Sequence, residues 1–359
     1  MRGGGVWRFG GVKGEKQARL VVKIKFDFDI FGALREKEVV MSVTFNEAKE
    51  IFELPFMDLI MRAQGVLREN FPANVIQTST LLSIKTGACS EDCAYCAQSS
   101  YSNAPQPAKK PKIMDREVVL TLAKRAKEAG SSRFCMGASG RSPSDEEVEE
   151  VCDIIREVKG LGMEVCVTLG LLSEGQAQKL KAAGLDFYNH NIDTSKEFYS
   201  QVITTRTFEE RLQTISNVRE AGVKLCVGGI IGLGEDNDAR IKMLVTLANL
   251  PIPPESVPIN KLVKIPGTNL QDAPEVDKFD FVRTIALARI LMPKSYVRLS
   301  AGRAQMSEEL QALCLLAGAN SLFYGDKLLT ANNAAPTRDE QLFAKLNLKR
   351  EVFVEAKDF

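Results

Sequence analysis

The 359-residue chain is long enough for one large barrel or two ordinary domains around a sizeable core. Its 47 Lys and Arg against 46 Asp and Glu leave no basic field to attract nucleic acid or an anionic membrane, which points to a small-molecule partner. No run of about eighteen apolar residues and no secretory pattern occur, so a cytoplasmic chain is expected, in which the eight cysteines serve metal or redox chemistry instead of disulfides.

Residues 1–40 differ from the rest of the chain: five glycines by position 11 precede an alternating stretch, Val22-Lys23-Ile24-Lys25-Phe26-Asp27-Phe28-Asp29. They read either as an extra edge strand or, preferred here, as a dispensable extension ahead of a start at Met41. The acidic Asp27, Asp29, Glu36 and Glu38 argue against a transit peptide. Residues 41–359 then form one barrel domain with a helical lead-in, opened by the capping-box pair Thr44 and Glu47.

From about residue 80 a cadence sets in of charged helical stretch, glycine stop, and a burst of β-branched and apolar residues. The stops are Gly130, Gly162, Gly184, Gly222 and Gly318, each suited to the left-handed residue that ends a helix. The strand candidates are Leu81 to Lys85, Arg133 to Gly137, Glu164 to Leu169, Leu185 to Asn191, Val223 to Ile231, Val257 to Val263, Tyr296 to Leu299 and Ser321 to Tyr324. Eight strands separated mostly by helix-length segments predict an α/β fold, a (β/α)8 TIM-type barrel, with a doubly wound open sheet as the alternative. Pro251, Pro253, Pro254 and Pro258 predict a stiff loop before the sixth strand.

Cys89, Cys93 and Cys96 form a C-x3-C-x2-C triplet on the loop after the first strand, with Tyr95 before the last cysteine. Three thiolates this close can wrap one cube of iron and sulfide, leaving one iron of a four-iron cluster open to an exchangeable ligand. The competing reading is a structural zinc knuckle completed from afar. His190 is the only histidine, and zinc knuckles pair their ligands in two short clusters.

Cys135, Cys166 and Cys226 each lie mid-strand between apolar neighbours, as does Arg298. Alternation across a strand turns all four side chains into the barrel. Taken singly, each is an ordinary core cysteine or paired arginine. Together, a guanidinium beside three thiols is costly unless something metallic or anionic sits between them. Cys152 and Cys314 have no such company and are read as packing residues. Asn189, Asn191 and Asp193 share one parity and are expected to line the pocket, with His190 turned away. The stretch Gly228 to Glu235 lacks the G-x-G-x-x-G spacing of a dinucleotide site.

The triplet resembles that of the radical S-adenosylmethionine (SAM) superfamily. The two cysteine sets in this order, with Thr80 to Cys96, Arg133 to Gly137, Tyr188 to Thr194, Gly228 to Glu235, Ser256 to Asn260 and Tyr296 to Arg303, resemble the biotin synthase family within it. The resemblance runs from about Thr44 to near Leu348. It implies a SAM-binding [4Fe-4S] cluster on Cys89, Cys93 and Cys96 and a [2Fe-2S] cluster on Cys135, Cys166, Cys226 and Arg298. It also implies the reaction, sulfur insertion into dethiobiotin at the cost of two SAM molecules. An electron from the outer cluster splits SAM to a 5′-deoxyadenosyl radical, and the inner cluster gives up a sulfide.

The same resemblance implies further roles. Asn191 and Asp193 meet the ribose hydroxyls of SAM, Arg211 its carboxylate, and Tyr95, Ile230 and Val263 its adenine. Asn191 and Asn260 lie near the ureido ring of dethiobiotin. Thr330 stands at the substrate's carboxylate end, where the family can carry a threonine pair and this chain has Ala331 second. A flavodoxin-type electron donor and a homodimer are implied too. The alternatives are another SAM-cleaving barrel, such as a hydrogenase maturase or aminomutase relative, and a non-catalytic iron-sulfur carrier.

Overall fold

The computed structural model describes residues 42–107, 111–325, 327–329 and 331–352, with the backbone of 22–25 and 36–39. The chain divides after Ser42. Before that point, Val22–Lys25 pairs antiparallel with Glu36–Val39 in a two-stranded sheet of its own. The rest of the alternating stretch, Phe26 to Asp29, and Met41 lie outside the described residues.

The lead-in begins at the expected cap. Thr44 Oγ1 accepts from the Glu47 amide at 3.3 Å, and the Glu47 carboxylate accepts from the Thr44 amide at 2.8 Å, so two otherwise unpaired donors of helix Phe45–Phe52 are satisfied. That helix and the next, Phe56–Asn70, pack on the outer helices Asn237–Ala248 and Lys278–Leu291.

The barrel strands are Val75–Lys85, Arg133–Ala138, Glu164–Thr168, Phe187–Asn189, a fifth in two pieces (Lys224–Cys226 and Gly229–Ile231), Ser256–Lys261, Tyr296–Leu299 and Ser321–Phe323. All pair in parallel in chain order, and the eighth returns to the first, so the ring is closed and the open-sheet alternative falls away. The five glycine stops all have positive φ, between 71° and 109°. Helix-facing residues such as Phe134, Met136, Val165, Val167, Leu225 and Val227 form the continuous apolar layer that holds helices to sheet.

Three details differ from the sequence expectation. The first strand starts at Val75, because Gln77, Thr78, Ser79 and Thr80 continue it with polar but β-competent side chains. The fifth strand is interrupted at Val227 and Gly228, where a Cβ on Gly228 would sit 1.9 Å from the Pro258 carbonyl oxygen. Pro258, counted with the proline loop as well as with the strand candidate from Val257, lies inside the sixth strand. Proline cannot donate to a ladder, and the break in its neighbour falls where the donor is missing.

The last helix, Pro336–Leu346, is tied to the barrel by a buried ion pair. Arg303 Nη1 and Nη2 each lie 2.8 Å from a carboxylate oxygen of Asp339, while Nη2 also donates to the Phe323 carbonyl at 2.7 Å and Nη1 to Gln311 at 2.9 Å. Removing one partner leaves the other charge buried and unpaired. Asp339→Ala should therefore lower unfolding free energy by about 3–5 kcal/mol, read as an earlier urea midpoint at unchanged slope.

Candidate active site

Cys89, Cys93 and Cys96 stand on the loop at the C-terminal end of the first strand, the barrel face where TIM-type sites are built. The loop is pinned at both ends: the Cys89 amide donates to the Gln98 carbonyl at 2.8 Å and the Cys96 amide to the Cys93 carbonyl at 2.9 Å. All three thiols border one cavity of about 290 Å³. Burial pushes the Cys93 thiol up to about 12 and raises that of Cys96 as well. Metal ligation is what makes such thiols ionise, because the thiolate is the ligand and the metal supplies the compensating charge.

The Glu91 and Asp92 side chains, between the first two cysteines, reach across to a second loop. Asp92 accepts from the Thr204 amide at 2.9 Å and the Thr205 amide at 3.2 Å. Glu91, almost fully buried, accepts from Thr205 Oγ1 at 2.6 Å and Arg141 Nη1 at 3.0 Å.

Asp193 is the focus of the cavity's polar wall. It lies just beyond the fourth strand with φ of 65°, a left-handed conformation that costs a residue with a Cβ about 1–3 kcal/mol. Several contacts hold it there. Its carbonyl accepts from the Ile230 amide at 2.8 Å, and Gly229 leaves room for that carbonyl, since a Cβ there would lie 2.6 Å away. Its Oδ2 accepts from the Tyr95 hydroxyl at 3.0 Å and from Arg211 Nη2. Burial raises the Tyr95 phenol well above its usual range, so it stays protonated and donates.

Arg211 is buried and fully engaged: Nε donates to Tyr199 at 2.8 Å, Nη1 to the Asn191 carbonyl at 2.5 Å and Nη2 to Asp193. Asn191 Oδ1 accepts from the Gly228 amide at 3.1 Å. Asn260 is fixed at both ends of its amide, by the Gly229 carbonyl at 3.0 Å and the Ala301 amide at 3.1 Å. Ile230 and Val263 line the same cavity.

Below it lies a second cavity of about 100 Å³, lined by Cys135, Cys166, Cys226 and Arg298. The two cavities share Asn189, Asn191, Asn260 and Leu329 in their walls, so the inner cysteines and the outer triplet border adjoining cavities. Cys166 lies within hydrogen-bonding reach of Cys135 and Cys226, a contact that raises its own thiol and lowers theirs. Arg298 Nε donates to Ser321 Oγ at 2.9 Å, and Nη2 to Gln77 Oε1 at 3.2 Å and Ser79 Oγ at 3.1 Å. Those bonds aim Nη1 at Cys226 Sγ, 3.8 Å away. Among the described residues no group of three His, Cys, Asp or Glu side chains is arranged to hold a single metal ion, whereas an iron-sulfur cluster spreads its ligands over several irons.

The His190 ring lies by the helix-facing Tyr188, 6.1 Å between centroids, and the residue also borders the main cavity. Thr330 lies outside the described residues; its neighbours Leu329 and Ala331 line the main cavity. Leu329 crosses to the second strand, where a Cβ on Gly137 would come within 2.4 Å of it. Sequence reasoning misses Gln77, Ser79 and Ser321, which orient Arg298, and Glu91 and Arg206. Gln77 and Ser79 share the parity of inward Leu81, a signal that a strand begun at Leu81 leaves out.

Residues 83–248 match the Radical SAM superfamily, and residues 258–349 match the Biotin and Thiamin Synthesis associated domain. The chain is 61% identical over 305 residues to biotin synthase of Rickettsia felis, covering 85% of this chain and 98% of that one. It is 58% identical over 306 residues to biotin synthase of Dechloromonas aromatica, covering 85% and 93%. The chain belongs to the biotin synthase family.

Radical SAM membership carries with it a [4Fe-4S] cluster and SAM, and the described thiols of the triplet suit that cluster. In fold the chain is similar to methylornithine synthase (TM-score 0.72, 18% identity, 87% of this chain and 95% of that one). It is also similar to the FeFe-hydrogenase maturase HydG from Carboxydothermus hydrogenoformans (TM-score 0.73, 18% identity, 88% and 77%). Among the described residues no helix is long and apolar enough to cross a membrane.

His190 yields a pH prediction. Burial, with Arg211 and Arg206 nearby, holds its imidazole well below the usual value, so it is neutral when folded and protonates on unfolding. The unfolded chain therefore binds the extra proton, and stability is lost as pH falls below about 6.5. Its contribution should decline by about 1.4 kcal/mol per pH unit there, and His190→Asn should flatten that slope in urea titrations between pH 7 and 5.

Proposed function

We propose that this chain converts dethiobiotin to biotin by inserting one sulfur atom between two unactivated carbons, using SAM as the source of the hydrogen-abstracting radical. The observation that carries this reading is the pair of cysteine sets on adjoining cavities, with Asn189, Asn191, Asn260 and Leu329 common to both walls. In it Cys89, Cys93 and Cys96 hold the [4Fe-4S] cluster, and Cys135, Cys166, Cys226 and Arg298 hold a [2Fe-2S] cluster. When bound, the outer cluster supplies the electron that cleaves SAM and the inner one supplies the sulfur atom.

The side chains do the binding and orienting. Asp193 is anchored through Oδ2 and offers Oδ1 to the ribose hydroxyls of SAM, with Asn191 beside it. Tyr95, Ile230 and Val263 enclose the adenine. Arg211 positions Asp193 and Asn191 and lends its charge at the end of the site that receives the SAM carboxylate. Asn191 and Asn260 meet the ureido ring of dethiobiotin between the two clusters. Thr330 serves the substrate's carboxylate end, flanked by Leu329 and Ala331. A flavodoxin-type reductant, a homodimer and a dispensable segment over residues 1–40 complete the reading.

Anaerobically reconstituted protein given dithionite, SAM and dethiobiotin should release 5′-deoxyadenosine and form biotin. Deoxyadenosine without biotin would place the chain with other radical enzymes, and neither product from fully clustered protein would leave only a carrier. Cys166→Ala should keep SAM binding but lose both the two-iron absorbance and biotin formation; a full biotin yield from that variant would remove the inner centre as sulfur donor.

A further inference from the structure

The geometry points to Arg206 as the residue that sets the reduction potential of the outer cluster, with Glu91 as the counter-charge that moderates it. The Arg206 side chain is only 10% exposed, and its Nη2 lies 3.7 Å from Cys93 Sγ. Its Nε makes no hydrogen bond, and the nearest carboxylate oxygen, Glu91 Oε2, is 3.5 Å away. The cation is therefore committed to the sulfur side by placement and only loosely neutralised. The placement is built by the cluster loop itself. Asp92, adjacent to Cys93, grips the amides of Thr204 and Thr205, and Glu91 grips the Thr205 hydroxyl, so the turn that carries Arg206 is registered directly against Cys93.

Reduction adds one negative charge to an iron-sulfur cluster, and the local charge and the hydrogen bonds to its sulfurs tune how readily that charge is accepted. A cation against one ligand sulfur, shielded from water, favours the reduced state and eases electron delivery from a weak donor. A buried carboxylate on the far side of that cation does the reverse. Arg206 acts here as a positioning and tuning residue, distinct from Arg211, whose guanidinium is committed to Asp193, Asn191 and Tyr199.

This inference rests on the assignment of Cys89, Cys93 and Cys96 to a four-iron cluster. The test is a redox titration, followed by electron paramagnetic resonance, of reconstituted protein without SAM, alongside SAM binding measured separately. Arg206→Gln should make the cluster about tenfold harder to reduce, a fall in midpoint of about 59 mV for one electron. Arg206→Lys should recover most of that fall, and Glu91→Gln should move the midpoint upward. An unmoved midpoint in Arg206→Gln that retains its irons overturns the proposal, as does weaker SAM binding at an unmoved midpoint, which would assign Arg206 to the SAM carboxylate instead. Where Arg206→Gln fails to hold a cluster, Glu91→Gln decides: a rise supports the proposal, and no rise overturns it. Unsubstituted protein that takes up no four-iron cluster sinks the ligand assignment, not the role of Arg206 alone.

Discussion

Thiols buried inside a barrel ionise only where opposite charge is brought to them, and the site is organised around that requirement. Arg133, Arg211 and Arg298 are nearly inaccessible to solvent, and Arg206 is close behind. Their tethers differ: Arg133 is paired with Glu164 at 2.8 Å and lies over the Phe187 ring, Arg211 is paired with Asp193, and Arg298 is tied to the neutral Ser321, Gln77 and Ser79. The neutral tethers of Arg298 are informative. They fix the guanidinium without cancelling its charge, so its field reaches the three thiols beside it.

The same logic links the two ends of the main cavity. One carboxylate, on Asp193, collects a hydroxyl from the cluster loop through Tyr95 and a guanidinium from helix Phe208–Glu220 through Arg211, while its backbone is seated against Gly229 of the fifth strand. A left-handed non-glycine residue persists only where its surroundings over-determine it. Here they do, from three separate segments. Displacing the loop of Cys89, Cys93 and Cys96 therefore shifts Asp193, so the triplet and this polar wall move as a unit.

Much of this is legible in the sequence because it rests on short-range regularities. A glycine stop before each burst of β-branched residues marks out the barrel, and strict alternation picks out the inward set Cys135, Cys166, Cys226 and Arg298. The features that escape depend on long-range contacts or on irregular backbone. Gln77 and Ser79 look like loop residues until Arg298, more than two hundred positions away, is seen to need acceptors. Glu91 looks like a solvated acid inside a metal motif until Arg141, Thr205 and Arg206 converge on it.

The closure of the ring explains how one fold can host different chemistry. The stretch that matches the Radical SAM superfamily contributes the triplet and all three inner cysteines, whereas Arg298, Asn260 and Leu329 come from the stretch that matches the associated domain. Strands six to eight complete the wall, and Arg298 meets Cys226 across that seam. Methylornithine synthase and the hydrogenase maturase share the barrel at 18% identity, so backbone architecture alone does not select the reaction. Selection falls to the side chains the strands turn inward. In this chain those are three thiols and a tethered guanidinium set below the main cavity, an arrangement that the outer triplet does not need and that a second metal centre would.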